Sequence, residues 1–240
     1  MELKNMEKIP DNANQIITDF VEMFCKAYPK RVDSIAIYGS LARGDYREGI
    51  SDINLALVIA DTGFSSLKPV IKVIEKFRKK RVTVPLLFTL DYIHKSLDSF
   101  PMEFLELKEN HITIYGDDIF STLEIDTSNL RLQVEQVLKG RLLRIRQWYL
   151  EKGFRKRELR KVMEFGLKDV FPALRNLIRL KQGSVPQGKD EVVKELENVL
   201  GMNLNFVRQI LNREYKESNE WYLANLLSLL KKASEIADEI

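Results

Sequence analysis

The stretch YGSLARGDYREGISDINLAL, Tyr38 to Leu57, gathers residue types suited to phosphate chemistry. Gly39 and Ser40 close a short β-rich run, SIAIYG, and are expected to open a short helix whose unpaired amides and dipole favour an anion. Gly39 lets a ligand approach the backbone closely. Asp52 and Asn54 are two apart, and on a strand that spacing turns both to one face while Ile53 and Leu55 point to the other. Arg43 is near enough in sequence to Ser40 to reach a bound phosphate. Asp52 is the carboxylate that can ligate a metal; Asn54 brings an amide oxygen without charge.

GSLARG followed at short range by SDINLAL resembles the nucleotidyltransferase superfamily of the DNA polymerase β and kanamycin nucleotidyltransferase type. The resemblance covers Ser34 to Ala60, extends to about Asp118, and over the C-terminal half rests on architecture alone. It implies that Gly39 and Ser40 contact the phosphates of a nucleoside triphosphate and that Asp52 holds Mg²⁺. It implies further that Asp52 and the residue at 54 are the catalytic pair, with a third acid on a later strand. Metal ions so held bind the triphosphate, help deprotonate the attacking hydroxyl and stabilise the leaving pyrophosphate.

This chain departs from that pattern at two places. Asn54 replaces the second acid, and RVTVPLLF, where the third belongs, contains neither Asp nor Glu. Opposite charges at ligand distance are worth about 4 kcal/mol even at an effective dielectric of about 20. Each ~1.4 kcal/mol lost in the transition state costs about tenfold in rate. The expectation is therefore a nucleotide- or polyphosphate-binding module with impaired or absent transfer. The alternative is an active Mg²⁺-dependent transferase adding a nucleoside monophosphate to a hydroxyl, its site completed by Asp45, Glu48, Glu103 or Glu106. A nucleic-acid- or protein-binding scaffold is the third reading.

The elements around this site follow from periodicity. Helical spacing of Ile16, Ile17, Phe20, Met23 and Phe24 predicts a first helix capped by Asp11 or Asn12 and stopping near Pro29. DINLALVIA reads as a strand, LKPVIKVIEKFRKK as a helix, RVTVPLLFTL as an apolar run whose Pro85 argues for an edge strand or an irregular strand end, and HITIYG as a further strand. From about Ser128 the pattern becomes some five long helices, with Pro172 a bend in the second. The fold class expected is α/β (α+β): a mixed sheet with flanking helices over 1–125, then an all-α bundle over 126–240.

Composition narrows the function. One cysteine, Cys25, and two histidines leave no zinc constellation, and Cys25 in VEMFC reads as a buried structural thiol. Beyond His111 there is no histidine, so a helical ribonuclease of the HEPN type, which needs an Arg followed by His, is excluded. No apolar run has the length of a membrane span, and MELKNMEKIPDN is too charged for a signal peptide, which predicts a cytoplasmic protein.

Charge is uneven. Between Arg131 and Lys181 stand fifteen Lys or Arg against five Asp or Glu, a local +10 in a chain whose net charge is +3. That surface predicts an anionic partner, with Lys139, Arg141, Arg144 and Arg146 as its first contacts to an acceptor or polyanion in the cleft between the halves. Trp148 or Phe154 would stack on bases if the partner were nucleic acid. The last helix, with Leu223, Leu226, Leu227 and Leu230 in register, serves either to close the bundle or to form a homo-oligomer.

Overall fold

The computed structural model describes residues 2–153 and 155–240. The chain divides into two compact units, Met1–Ile125 and Asp126–Ile240.

The first unit begins with α1 (Asp11–Ala27), which buries Ala13, Ile17, Phe20, Val21 and Phe24 along one face. Its cap differs from the expected one: Pro10 is the N-cap residue, no side chain caps the helix, and Asp11 lies within the first turn. Proline's fixed φ suits helix entry, and Asp11 then sits at the positive end of the helix dipole. Cys25 is half-buried rather than buried, and its burial pushes the thiol pKa up.

The sheet contains β1 (Val32–Tyr38), β2 (Asn54–Ile59), β3 (Leu86–Phe88) and β4 (His111–Gly116) in the order β3-β2-β1-β4. β1 pairs antiparallel with both β2 and β4, whereas β2 and β3 are parallel. Pro85 stands immediately before the edge strand β3, where its missing N–H costs no ladder bond. Between β2 and β3 the single expected helix is three pieces: α2 (Phe64–Leu67), a 3₁₀ turn (Lys68–Val70) and α3 (Ile71–Arg78). Pro69 removes one donor from that turn, which tightens accordingly. Two helices that periodicity did not anticipate, α4 (Leu90–Ser96) and α5 (Pro101–Glu109), precede β4. α4 has only seven residues, with Ile93 and Ser96 buried, too few to establish a helical stripe.

Alternation along the strands sorts two cores. Ile35, Ile37, Ile53, Leu55, Leu57 and Ile59 pack with Phe20, Phe24 and Phe77 from α1 and α3. Ala36, Ala56 and Val58 face the other way, against Ile93, Phe104, Leu107 and Phe120. The small alanines leave room for the rings of Phe88, Phe104 and Phe120, whose centroids lie 5.6 and 6.3 Å from that of Phe88. Each fully buried large side chain contributes about 1.5–3 kcal/mol, and both faces of the sheet are covered.

The second unit is helical: α6 (Thr127–Lys152), α7 (Lys156–Gln182), α8 (Lys189–Leu200), α9 (Asn205–Asn212) and α10 (Asn219–Asp238). Asp126 caps α6 through the Ser128 N–H. α7 is continuous across Pro172, and Asn176 Nδ2 donates to the proline carbonyl. α10 buries Tyr222, Leu223, Leu226, Leu229 and Leu230 within this unit, so its leucine face closes the bundle. Among the described residues no helix is long and apolar enough to cross a membrane.

Candidate functional site

The site forms where β1 ends. Tyr38 is paired with Asn54 across the antiparallel ladder, so Gly39 and Ser40 emerge beside the start of β2. The expected short helix does not form there. Residues 39–44 make a turn in which the Arg43 N–H donates to Gly39 O at 3.1 Å and the Asp45 N–H to Ser40 O at 2.8 Å. Glycines with φ of +77° and +79° bracket that turn at Gly39 and Gly44, and left-handed residues at both ends leave no length in which a helix can propagate. The N–H groups of Ser40, Leu41 and Ala42 find no acceptor among the described residues, nor does the Ser40 hydroxyl find a partner. Successive free amides in a turn make an anion-binding concavity without any helix dipole.

Asp52 stands just outside β2, preceding the bridge that Ile53 makes with Val82. Because Ile53 belongs to the α1/α3 core, its neighbours Asp52 and Asn54 belong to the opposite face, as their spacing predicts. Each of the two is already engaged. Arg81 Nη1 lies 3.2 Å from Asp52 Oδ1 and donates also to Ile50 O at 2.8 Å. Thr83 Oγ1 donates to Asn54 Oδ1 at 3.0 Å. Neither Arg81 nor Thr83 is foreseen from sequence. Arg81 reads there only as the first residue of the apolar run RVTVPLLFTL; a cation at the start of that run is the one signal that could have marked it.

Arg81 is held by backbone as well. It has φ +63°, a left-handed conformation that costs a non-glycine residue about 1–2 kcal/mol. Its carbonyl accepts from the Ile53 N–H at 2.8 Å, and Ile53 O accepts from the Thr83 N–H at 3.0 Å. The two residues that contact Asp52 and Asn54 therefore flank Val82 in its parallel bridge with Ile53.

Arg43 is paired with Glu106 and lies 3.8 Å from Asp45 Oδ2. Asn110 Nδ2 donates to the second oxygen of Glu106 at 3.1 Å. Of the acids considered as replacements, Glu106 is thus tied to the Gly39–Gly44 turn through Arg43, while Asp45 and Glu48 are exposed. Among the described residues no three of Asp, Glu, His and Cys converge to hold a metal ion. The donor set of one carboxylate bound to a guanidinium and one carboxamide bound to a hydroxyl does not fit the multi-carboxylate metal centre implied by the resemblance.

On the far side of β1, Tyr38 pairs with His111, whose Nε2 lies 2.7 Å from Asp118 Oδ1. Burial raises the Asp118 pKa, but hydrogen bonding to His111 and the Ser121 amide outweighs it, leaving the carboxyl below its ordinary value.

In the helical unit, the four basic residues singled out from sequence have unequal freedom. Lys139 is paired with Glu135 and lies 3.5 Å from Asp238, and Arg141 Nη2 is 3.0 Å from Asp169. Arg144 lies over the Trp148 ring, 5.2 Å from its centroid, and Arg141 is at 5.6 Å. Arg146 is exposed. Trp148 is half-buried beside a groove of about 330 Å³ that Phe165, Val162, Lys152 and Lys161 also line. Phe154, the other aromatic considered for base stacking, lies outside the described residues.

Residues 17–111 match the family model of the nucleotidyltransferase domain. Among curated proteins no significant match is found. The chain is similar in fold to spectinomycin adenyltransferase AAD(9) from Enterococcus faecialis, solved with ATP and spectinomycin. The identity is 13%, the TM-score 0.53, and the match covers 93% of this chain and 98% of that one. A toxin–antitoxin structure with AMP-PNP matches 55% of this chain and 92% of its own at 17% identity and a TM-score of 0.31. The family match spans the Gly39–Ser40 turn and the Asp52–Asn54 segment.

Proposed function

We propose that the N-terminal unit binds a nucleoside triphosphate or a related polyphosphate at the Gly39–Ala42 turn, with transfer chemistry impaired, and acts as a binding or regulatory module. One observation carries this reading: the Ser40, Leu41 and Ala42 amides and the Ser40 hydroxyl, without partners among the described residues, stand beside the Asp52–Asn54 segment, whose single carboxylate is paired with Arg81. The first half of that arrangement attracts phosphate oxygens. The second half withholds the converging acids that a multi-ion phosphoryl-transfer site needs. The match of residues 17–111 to the nucleotidyltransferase domain supports the ligand class.

Isothermal titration with ATP, GTP, CTP and UTP tests the reading, using the wild type and Ser40→Ala. Saturable binding of at least one nucleotide, weakened about threefold to tenfold by loss of the serine hydroxyl, is the expected result, in line with one charge-assisted hydrogen bond. Absence of heat and of competition with all four nucleotides would end the ligand assignment.

A second reading, an active transferase, draws on Glu106, whose carboxylate is tied to the same turn through Arg43. It requires radiolabelled nucleotide turnover that disappears in both Asp52→Ala and Glu106→Gln. Of the basic surface in the helical unit, Arg144 and Arg146 have no acidic partner among the described residues. They are the residues we assign to an acidic acceptor or polyanion.

A further inference from the structure

We propose that Arg81 is the resident cation of this site: its guanidinium stands where a divalent metal would balance the charge, so that the polyphosphate binds without metal. The inference rests on the polyphosphate reading above and specifies the chemistry by which the ligand is held.

The argument starts from what Arg81 does with its donors. Nη1 spans Ile50 O and Asp52 Oδ1, while Nε and Nη2 have no acceptor among the described residues, and the side chain is 49% exposed. A guanidinium presents five donors in a rigid planar fork, and its unused edge is the one suited to two oxygens of one phosphate. Its positive charge is supplied by the chain itself rather than by a bound ion.

Asp52, which would otherwise repel a triphosphate, is cancelled at 3.2 Å. Asn54 carries no charge, and its oxygen is occupied by Thr83. A divalent ion entering here would have to displace a guanidinium from the single carboxylate and draw its remaining ligands from a carboxamide and water, a set poor in anionic oxygen.

The backbone supports the assignment. Arg81 occupies a left-handed conformation that glycine would adopt without strain, yet a long cationic side chain stands there. Strain kept at a site that orders a functional group is a recognised pattern. The carbonyl bond to Ile53 N–H locks that residue to the start of β2, so the guanidinium is aimed from a fixed base rather than from a mobile loop.

The test is affinity for ATP and, separately, for inorganic tripolyphosphate, each measured in EDTA and in excess Mg²⁺, for the wild type, Arg81→Gly and Arg81→Lys. Arg81→Gly removes the guanidinium while retaining the left-handed backbone, so loss of fold does not mask the result; circular dichroism verifies it. The wild type is expected to bind at least one probe with affinities in EDTA and Mg²⁺ that agree within about threefold. Arg81→Gly should bind at least about tenfold more weakly in EDTA and regain affinity on adding Mg²⁺, because Asp52 is then released to hold the ion. Arg81→Lys should fall between them, keeping the charge but losing the fork. Equal loss for both probes assigns the contact to the phosphate chain, and loss for ATP alone assigns it to the nucleotide.

Wild-type binding that requires Mg²⁺ would overturn the proposal while leaving the polyphosphate reading intact, as would an Arg81→Gly variant that binds normally in EDTA. No binding of either probe under either condition would remove both.

Discussion

Gly39 and Asn54 meet where β1 ends and β2 begins: a Cβ added to Gly39 would lie 2.8 Å from Asn54 Nδ2. The carboxamide has little freedom to withdraw, because its oxygen accepts the Thr83 hydroxyl from the neighbouring parallel segment. The Asn54 side chain thus packs against the turn that follows β1 while its oxygen accepts from the polypeptide preceding β3. Asn54 serves as a structural bracket at the position where the resemblance leads one to expect a metal ligand.

Gly39→Ala tests that bracket. A left-handed alanine costs about 1–2 kcal/mol, and displacing the Asn54–Thr83 hydrogen bond adds about 1 kcal/mol. Urea denaturation should therefore show a loss of about 2–3 kcal/mol, and nucleotide binding should fall with it. In the Thr83→Val background Asn54 is released, and the same glycine substitution should cost about 1 kcal/mol less. Strict additivity of the two changes would show that Thr83 does not hold the carboxamide.

The site's two halves were legible to different degrees. Period-two alternation placed Asp52 and Asn54 on one face because Ile53 and Leu55 had to reach the core. The five C-terminal helices were readable from long apolar stripes. The contacts of Arg81 and Thr83 were not, because they join residues 29 apart in sequence, Asp52 with Arg81 and Asn54 with Thr83. Those contacts exist only through a left-handed turn and a parallel bridge that no local pattern encodes. The turn at residues 39–44 departs from the expected helix for a related reason: Leu41, Ala42 and Arg43 have good helix propensity, but the flanking glycines override it.

Tyr222 should prove to be a keystone of the helical unit. It is fully buried, donates to Gln209 Oε1 at 2.6 Å and accepts from the Lys216 N–H at 2.9 Å. Tyr222→Phe keeps the ring but leaves both partners without their hydroxyl, an expected loss of about 1–3 kcal/mol. Equilibrium denaturation checks it; a change below about 0.5 kcal/mol would mean that water satisfies both groups as well as the phenol does.

Acid should loosen the junction of α8 and α9. Glu197 accepts both guanidinium nitrogens of Arg208, at 2.9 and 2.8 Å, and the Leu204 N–H at 2.8 Å. The Arg208 bonds foremost, then the Leu204 amide, hold its pKa below the ordinary value of 4.5. A carboxyl depressed in the folded state binds its proton more readily when unfolded. Its stabilisation is complete above the unfolded value and is lost as pH falls through the folded one. Glu197→Gln should be about 1 kcal/mol less stable at neutral pH, given the pair's partial exposure. That gap should close as pH drops below about 4. A gap that persists in acid would assign the effect to packing rather than to charge.

Asn54→Asp restores the missing acid and asks what the site lacks besides it. The new carboxylate would keep the Thr83 hydroxyl as a donor and add a second negative charge on the face of Asp52. Two unit charges at 4 Å interact by about 4 kcal/mol at an effective dielectric of about 20, so even after desolvation Mg²⁺ should bind at least about tenfold more tightly than to the wild type. ATP binding should then become Mg²⁺-dependent, because one guanidinium cannot neutralise two carboxylates and the triphosphate together. Turnover should stay near background: the segment Val82–Pro85 offers no third acid, and Arg81 still competes for Asp52. Calorimetry with MgCl₂ and a radiolabelled nucleotide assay measure the two effects separately. Unchanged Mg²⁺ affinity would mean that position 54 does not face the ion. Rapid turnover would reveal a third carboxylate already in reach, with Glu106 the first to replace by Gln.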